Sequence, residues 1–134
     1  MPSFTATAAP STRTAARFTS AGCSKAAPIQ DVWILPGIFY GTTLRIYDPG
    51  LDAWHILWSD PLRQVYTRQI GRARGSDIVQ EGKDDAGTPV RWSFVDITPD
   101  SFRWLGERSP DGGATWQLQA EFLARRVAAA ASAQ

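Results

Sequence analysis

Few side chains in this sequence could do chemistry, and each has a definite use. His55 is the only histidine, and an imidazole can ligate haem iron or carry a proton near neutral pH. Asp96, Glu107, Glu81 and Glu121 are carboxyls set among apolar residues, and two facing carboxyls can serve as general acid and base. Asp96 and Glu107 are the catalytic candidates, for an isomerase or a hydrolase. Arg45, Arg68 and Arg91 can hold a bound carboxylate through paired N–H donors. Tyr66 stands two residues before Arg68. On an extended strand the two share a face and would make a polar anchor in an apolar cavity. The largest group is aromatic: Trp54, Trp58, Trp92, Phe94 and Trp104 offer stacking surface to a small apolar molecule. With Tyr66 and Arg68 they form the ligand-binding candidates.

Whether these groups meet depends on the elements that carry them. Apolar residues recur with period two, not 3.6. Eight runs show it: 29–35, 39–48, 53–59, 63–72, 77–82, 89–97, 102–108 and 115–126. Aromatic and β-branched residues fill the runs, and Gly, Pro and Asp fill the gaps, as at Pro36-Gly37, Asp48-Pro49-Gly50 and Asp60-Pro61. Short strands joined by tight turns leave no room for crossover helices, so neighbours pair antiparallel. The fold class is therefore all-β, an up-and-down meander closing into a barrel, because closure removes exposed edges.

Alternation then assigns faces. Trp54, Ile56 and Trp58 share one side, which puts His55 outside. Val90, Trp92 and Phe94 share a side with Asp96, and Phe102 sits with Trp104. In the last run Trp116, Leu118, Ala120 and Phe122 are expected inside. Arg91, Arg103, Gln117, Gln119 and Glu121 then face solvent, and Glu81 falls on the polar side. Leu44 and Ile46 are expected on the inner side of the second run. Glu107 follows Gly106, where a bulge can redirect it. Asp96 ends its strand, where it can also fix the following turn. Tyr66, Arg68 and Ile70 share a face, and the anchor exists only if that face is inner.

The totals exclude several classes. The chain has 134 residues, enough for one domain with a real core, and a formal net charge of +1. Such a balance gives no reason to expect nucleic acid or an anionic membrane. No apolar run reaches the length of a membrane span. One histidine and one cysteine, Cys23, rule out the usual zinc sets and an internal disulfide, so a cytoplasmic location is expected. Residues 1–28 are rich in Ala, Ser and Thr and carry Arg13, Arg17 and Lys25 but no acid. They read as a disordered or non-native tail, with a transit peptide as the targeting alternative. Residues 29–126 form the barrel domain, and 127–134 an Ala-rich frayed end.

Two resemblances bear on function. Ser109, Asp111, Gly113, Thr115 and Trp116 spell a motif that resembles the Asp-box repeat of sialidases and other β-propellers. It occurs once, in a chain too short for a propeller. Asp111-Gly112-Gly113 lies where a hairpin needs positive φ, so the motif reads as a turn and carries no activity. The second resemblance rests on "IQDVW", "TTLRIYDP", "ITPDSFRW", "GGATW" and "EFLARR". Together these span residues 29–126 and resemble an uncharacterised bacterial family of lipocalin-like (calycin-type) β-barrel proteins. That resemblance implies a barrel with an internal cavity and brings no reaction with it. Family members carry further strand-forming sequence before "IQDVW", where this chain has its Ala/Ser/Thr-rich segment. The barrel is therefore expected to be incomplete at its N-terminal side, with an edge that invites pairing. Haem-binding barrels called nitrobindins are similar in shape, but no haem signature surrounds His55, and no cofactor is expected. The sequence thus points first to a monomeric or homodimeric barrel binding a small apolar or aromatic molecule. Its rivals are an enzyme using Asp96 or Glu107, and an assembly module pairing through an open seam.

Overall fold

Aspartates end the strands and fold the chain back. Asp48 Oδ1 accepts the amides of Gly50 and Leu51, Asp60 Oδ1 those of Leu62 and Arg63, and Asp84 Oδ1 those of Ala86 and Thr88. Each carboxylate does locally what a backbone carbonyl would do in a turn. The computed structural model of the protein describes residues 3–8, 15–19, 28–37 and 39–127. It holds ten strands and, among the described residues, no helix: β1 (Ser3–Ala8), β2 (Ala15–Thr19), β3 (Ile29–Leu35), β4 (Phe39–Asp48), β5 (Ala53–Asp60), β6 (Val65–Arg74), β7 (Asp77–Lys83), β8 (Pro89–Val95), β9 (Ser101–Arg108) and β10 (Gln117–Val127).

Strands β3 to β10 form the expected antiparallel meander, an eight-stranded sheet curled into a half-barrel. The hairpin of β1 and β2 spans the gap between its edges. β1 pairs with β10 from Ser3↔Val127 to Ala8↔Phe122, and among the described residues β2 pairs with β3 at Arg17↔Ile34. These two strands lie inside the segment whose composition suggested a tail. An edge strand offers a row of unpaired N–H and C=O groups, and the alternating "SFTATA" of β1 supplies partners for that of β10. The rest of the expected N-terminal tail, and the C-terminal end past Val127, lie outside the described residues.

Cross-strand register decides which side chains face inward. Residues directly opposite each other share a face. Ile56 and Trp58 of β5 are inside, as alternation predicted, and they oppose Arg45 and Thr43 of β4. The inner face of β4 is therefore Gly41, Thr43 and Arg45. The expectation for Leu44 and Ile46 is corrected: both face outward, and Ile46 is 41 % exposed. Register with β5 likewise turns Thr67, Gln69 and Gly71 of β6 inward. In β10 the pairing with β9 slips between Leu118 and Ala120. That bulge at Gln119 inverts the alternation upstream of it. Ala120, Phe122 and Ala124 stay inside, and Gln119 is exposed, as expected, while bordering the first cavity described below. Leu118, expected inside, is 55 % exposed.

The core lies where β3, β8, β9 and β10 curl toward one another. Trp33, Leu35, Phe94, Phe102, Phe122 and Ala124 are buried together, with Trp58, Trp104 and Ala120 packed against them.

Candidate functional site

Two cavities lined by described residues lie in the barrel interior and open at opposite ends. The first, about 300 Å³, lies toward the β5–β6 turn and is walled by Trp33, Trp58, Trp92, Trp104, Val65 and Val90, with Asp60, Arg63 and Arg108 toward its mouth. The second, about 340 Å³, lies toward the β4–β5 turn and is bounded by Trp54, Ile56, Ile78, Phe94, Ile97 and Phe102. Arg45 borders both.

Indole rings make the wall of the first cavity as one connected set. Trp58 meets Trp92 edge-on, with centroids 5.7 Å apart and planes at 86°. Trp92 reaches Trp104 at 5.7 Å, and Trp104 reaches Trp33 at 5.9 Å and Phe122 at 5.3 Å. Tilted and edge-on contacts at these distances suit the ring quadrupoles. Two glycines make room for the rings. A Cβ on Gly41 would lie 2.2 Å from Cη2 of Trp58, and one on Gly106 would lie 2.7 Å from Cη2 of Trp104. The six-membered edges of both indoles thus occupy the space that a side chain at 41 or 106 would take.

Between the two cavities runs a buried polar chain that begins at Asp31. That residue is 0 % exposed; its Oδ1 accepts the Thr43 amide at 3.1 Å, and its Oδ2 receives Nη1 of Arg45. Arg45 Nε donates to Gln80 Oε1 at 3.0 Å, and Gln80 Nε2 donates to Gln69 Oε1 at 3.3 Å. Gln69 Nε2 is buried with no partner. The Arg45 guanidinium carbon stands 5.6 Å from the Phe94 ring centroid, within cation–π range. Sequence reading weighed Arg45 as a carboxylate binder but missed Asp31. The signal was present, because Asp31 shares the alternation of Ile29, Trp33 and Leu35.

The remaining candidates divide. Trp58, Trp92 and Trp104 gather on the first cavity, and Trp54 and Phe94 on the second. Tyr66 and Arg68 are not an internal anchor: both point outward, with Tyr66 55 % exposed. Trp116 is also outside, stacked under Arg91 with the guanidinium carbon 4.2 Å from its ring centroid. Arg91 holds Glu107 by two bonds of 3.1 and 3.2 Å, so that carboxylate is committed to an ion pair across β8 and β9. Asp96 sits at positive φ after β8, its side chain 70 % exposed, and faces Arg103. Glu107 borders the first cavity and Asp96 borders neither, so the structure does not bring the two acids together. Arg103 bonds Glu121 on the outer face, where both were expected.

His55 also lies on the outer wall. Arg68 Nη2 is 2.9 Å from its Nδ1, and Asp48 Oδ2 is 2.8 Å from its Nε2. An arginine N–H only donates, so Nδ1 accepts and Nε2 carries the proton toward Asp48. This bond, with the amides of Leu51 and Gly50, holds the Asp48 carboxyl below its ordinary value. Both ring nitrogens are therefore engaged by protein groups. Among the described residues no group of three or more His, Cys, Asp or Glu could hold a metal ion, and no helix is long and apolar enough to cross a membrane.

The Asp-box stretch is a turn between β9 and β10. Ser109 Oγ accepts the Gly113 amide at 2.7 Å, and Asp111 accepts both the amide and the hydroxyl of Thr115, at 2.7 and 2.6 Å. Gly112 and Gly113 take positive φ. Bonds from Thr115 and Ser109 lower the Asp111 carboxyl to about 2. No protein-family model matches the chain, and no curated protein matches it either.

Proposed function

We propose that this protein is a lipocalin-like barrel that binds a small apolar or aromatic molecule. The observation that carries the reading is the tryptophan wall around an open space of about 300 Å³ inside the barrel. Ligand sites of this size are mostly apolar and aromatic, with a few placed polar groups. Small barrels either fill their interior with side chains or hold one small ligand, and here the indoles are set back against Gly41 and Gly106. The sequence resemblance to lipocalin-like proteins supports the same reading, and a cytoplasmic location fits the lone cysteine. Titration with naphthalene should quench tryptophan fluorescence with a saturable curve. Native mass spectrometry of the full-length chain should detect any molecule retained through purification. A bare mass together with no quenching by aromatic probes of varied shape would end the reading.

A second reading, assembly through the barrel seam, rests on the one register pair, Arg17↔Ile34, that joins β2 to β3 among the described residues. Strand addition at such an edge is a known mode of association. It predicts a dimer in the same native spectrum, and a strictly monomeric protein at high concentration removes it.

A further inference from the structure

We infer that the ligand is a neutral aromatic compound with a carbonyl acceptor, and that Arg45 is the residue that reads the carbonyl. The inference rests on the binding reading above and names its chemistry.

Two of the three guanidinium nitrogens of Arg45 are committed. Nη1 bonds Asp31 and Nε bonds Gln80. Nη2, with two N–H groups, has no protein partner among the described residues, and the side chain is 13 % exposed where it borders both cavities. A charged donor held this far from bulk water, with acceptors on two sides and none on the third, suits an acceptor on a bound molecule. The surrounding aromatic wall sets the rest of the ligand.

Charge decides what kind of acceptor. Asp31, wholly buried, already cancels the guanidinium. Arg108 is paired with Asp84 at 2.9 Å and Arg91 with Glu107 at 3.1 Å. Toward the mouth Asp60, whose Oδ1 is spent on two turn amides, offsets exposed Arg63. The cavity is thus formally neutral. A carboxylate entering it would leave one unbalanced negative charge in a poorly solvated space. A ketone, ester or amide carbonyl satisfies Nη2 without that penalty. A pure hydrocarbon fits the wall but strips water from Nη2 and gives nothing back, which is how buried polar groups discriminate.

The test uses three probes that share one ring system: 2-ethylnaphthalene, 2-acetylnaphthalene and 2-naphthoate, titrated into the full-length protein by tryptophan quenching. The acetyl compound should bind at least about ten-fold tighter than either of the others, the effect of one hydrogen bond to a charged donor. Asp31→Asn should erase the preference for the acetyl compound over naphthoate. It keeps an oxygen for the Thr43 amide but removes the charge that cancels Arg45, so naphthoate should gain at least about ten-fold relative to the acetyl compound. Equal affinities for the three probes, or naphthoate binding tightest to the unmodified protein, would overturn the inference while leaving the binding reading intact. So would a folded Asp31→Asn protein with an unchanged preference. Failure of all three probes to bind would overturn this inference, and together with a bare native mass and no quenching by aromatic probes of other shapes it would end the binding reading as well. The ranking on the unmodified protein decides the matter even if the variant does not fold.

Discussion

Gly41→Ala is the sharpest test of how the tryptophan wall is built. The added Cβ would sit 2.2 Å from Cη2 and 2.4 Å from Cζ2 of Trp58, and 2.8 Å from the Ser59 carbonyl oxygen. Ordinary carbon–carbon contact needs about 3.6 Å, so the indole must retreat by roughly 1.4 Å. Its retreat is toward Trp92, which it already meets edge-on at 5.7 Å. The Ser59 contact is backbone and cannot swing aside. Overpacking of this kind costs about 1–3 kcal/mol. Gly41 does not take positive φ, so alanine regains about 0.5 kcal/mol from the unfolded chain. The net expectation is a loss of about 1–2 kcal/mol, read from urea unfolding, together with weaker quenching by naphthalene. The same substitution in a Trp58→Leu background should cost at least about 1 kcal/mol less, because the ring it strikes is gone. Additive effects of the two substitutions would refute the proposed contact, and so would a Gly41→Ala protein of full stability.

Four further outcomes follow from the geometry. Tyr66→Ala and Arg68→Ala should leave naphthalene affinity unchanged in a fluorescence titration, since both side chains point away from the cavities. Leu118→Ser should shift stability by no more than about 0.5 kcal/mol in urea unfolding, as expected for an outward position; a loss of about 2 kcal/mol would mean that the bulge is misplaced. Carboxyl NMR should find Asp111 titrating at about 2. Its folded value is depressed, so its stabilising contribution is complete above the ordinary carboxylate range and is lost as pH falls through about 2; a midpoint near 4 would contradict the turn. Arg45→Met should cost about 3–5 kcal/mol by stranding the Asp31 charge. Arg45→Met/Asp31→Asn should recover most of that in the same assay.

The strands and the Trp54, Trp58 and Trp92 faces were legible because each run alternates cleanly and ends at Asp, Pro or Gly. The inner face of β4 was not. Within the run, Leu44 and Ile46 look like the core side, and Thr43, Arg45 and Tyr47 like the solvent side. What overrides this is the neighbour. The turn at Asp48-Pro49-Gly50 sets Asp48 opposite Ala53, and from there every inward residue of β5 draws its opposite on β4 inward. The same transfer from β5 to β6 places Tyr66 and Arg68 outside. Hairpin register carried the information that single-strand alternation lacked. Leu118 was lost for a different reason. A one-residue bulge has no signature in a run of Gln and Ala, yet it inverts every residue before it.

The polar chain inside the barrel is hard to explain as a device for stability. Replacing a buried ion pair by apolar side chains is often neutral or stabilising, and β-barrel interiors of this size are readily filled by Val, Leu and Ile. Here Asp31, Arg45, Gln80 and Gln69 occupy inward positions on β3, β4, β7 and β6, two adjacent pairs of strands with β5 between them. The chain ends in an unsatisfied Gln69 Nε2, and such a buried donor costs about 1–3 kcal/mol. Glycines at 41 and 106 add to the pattern: larger residues there would pack the wall, and their absence leaves it open. A fold optimised for its core alone would do neither. Open space beside a fixed, half-committed guanidinium is the arrangement expected when part of the interior is completed by a molecule that is not protein.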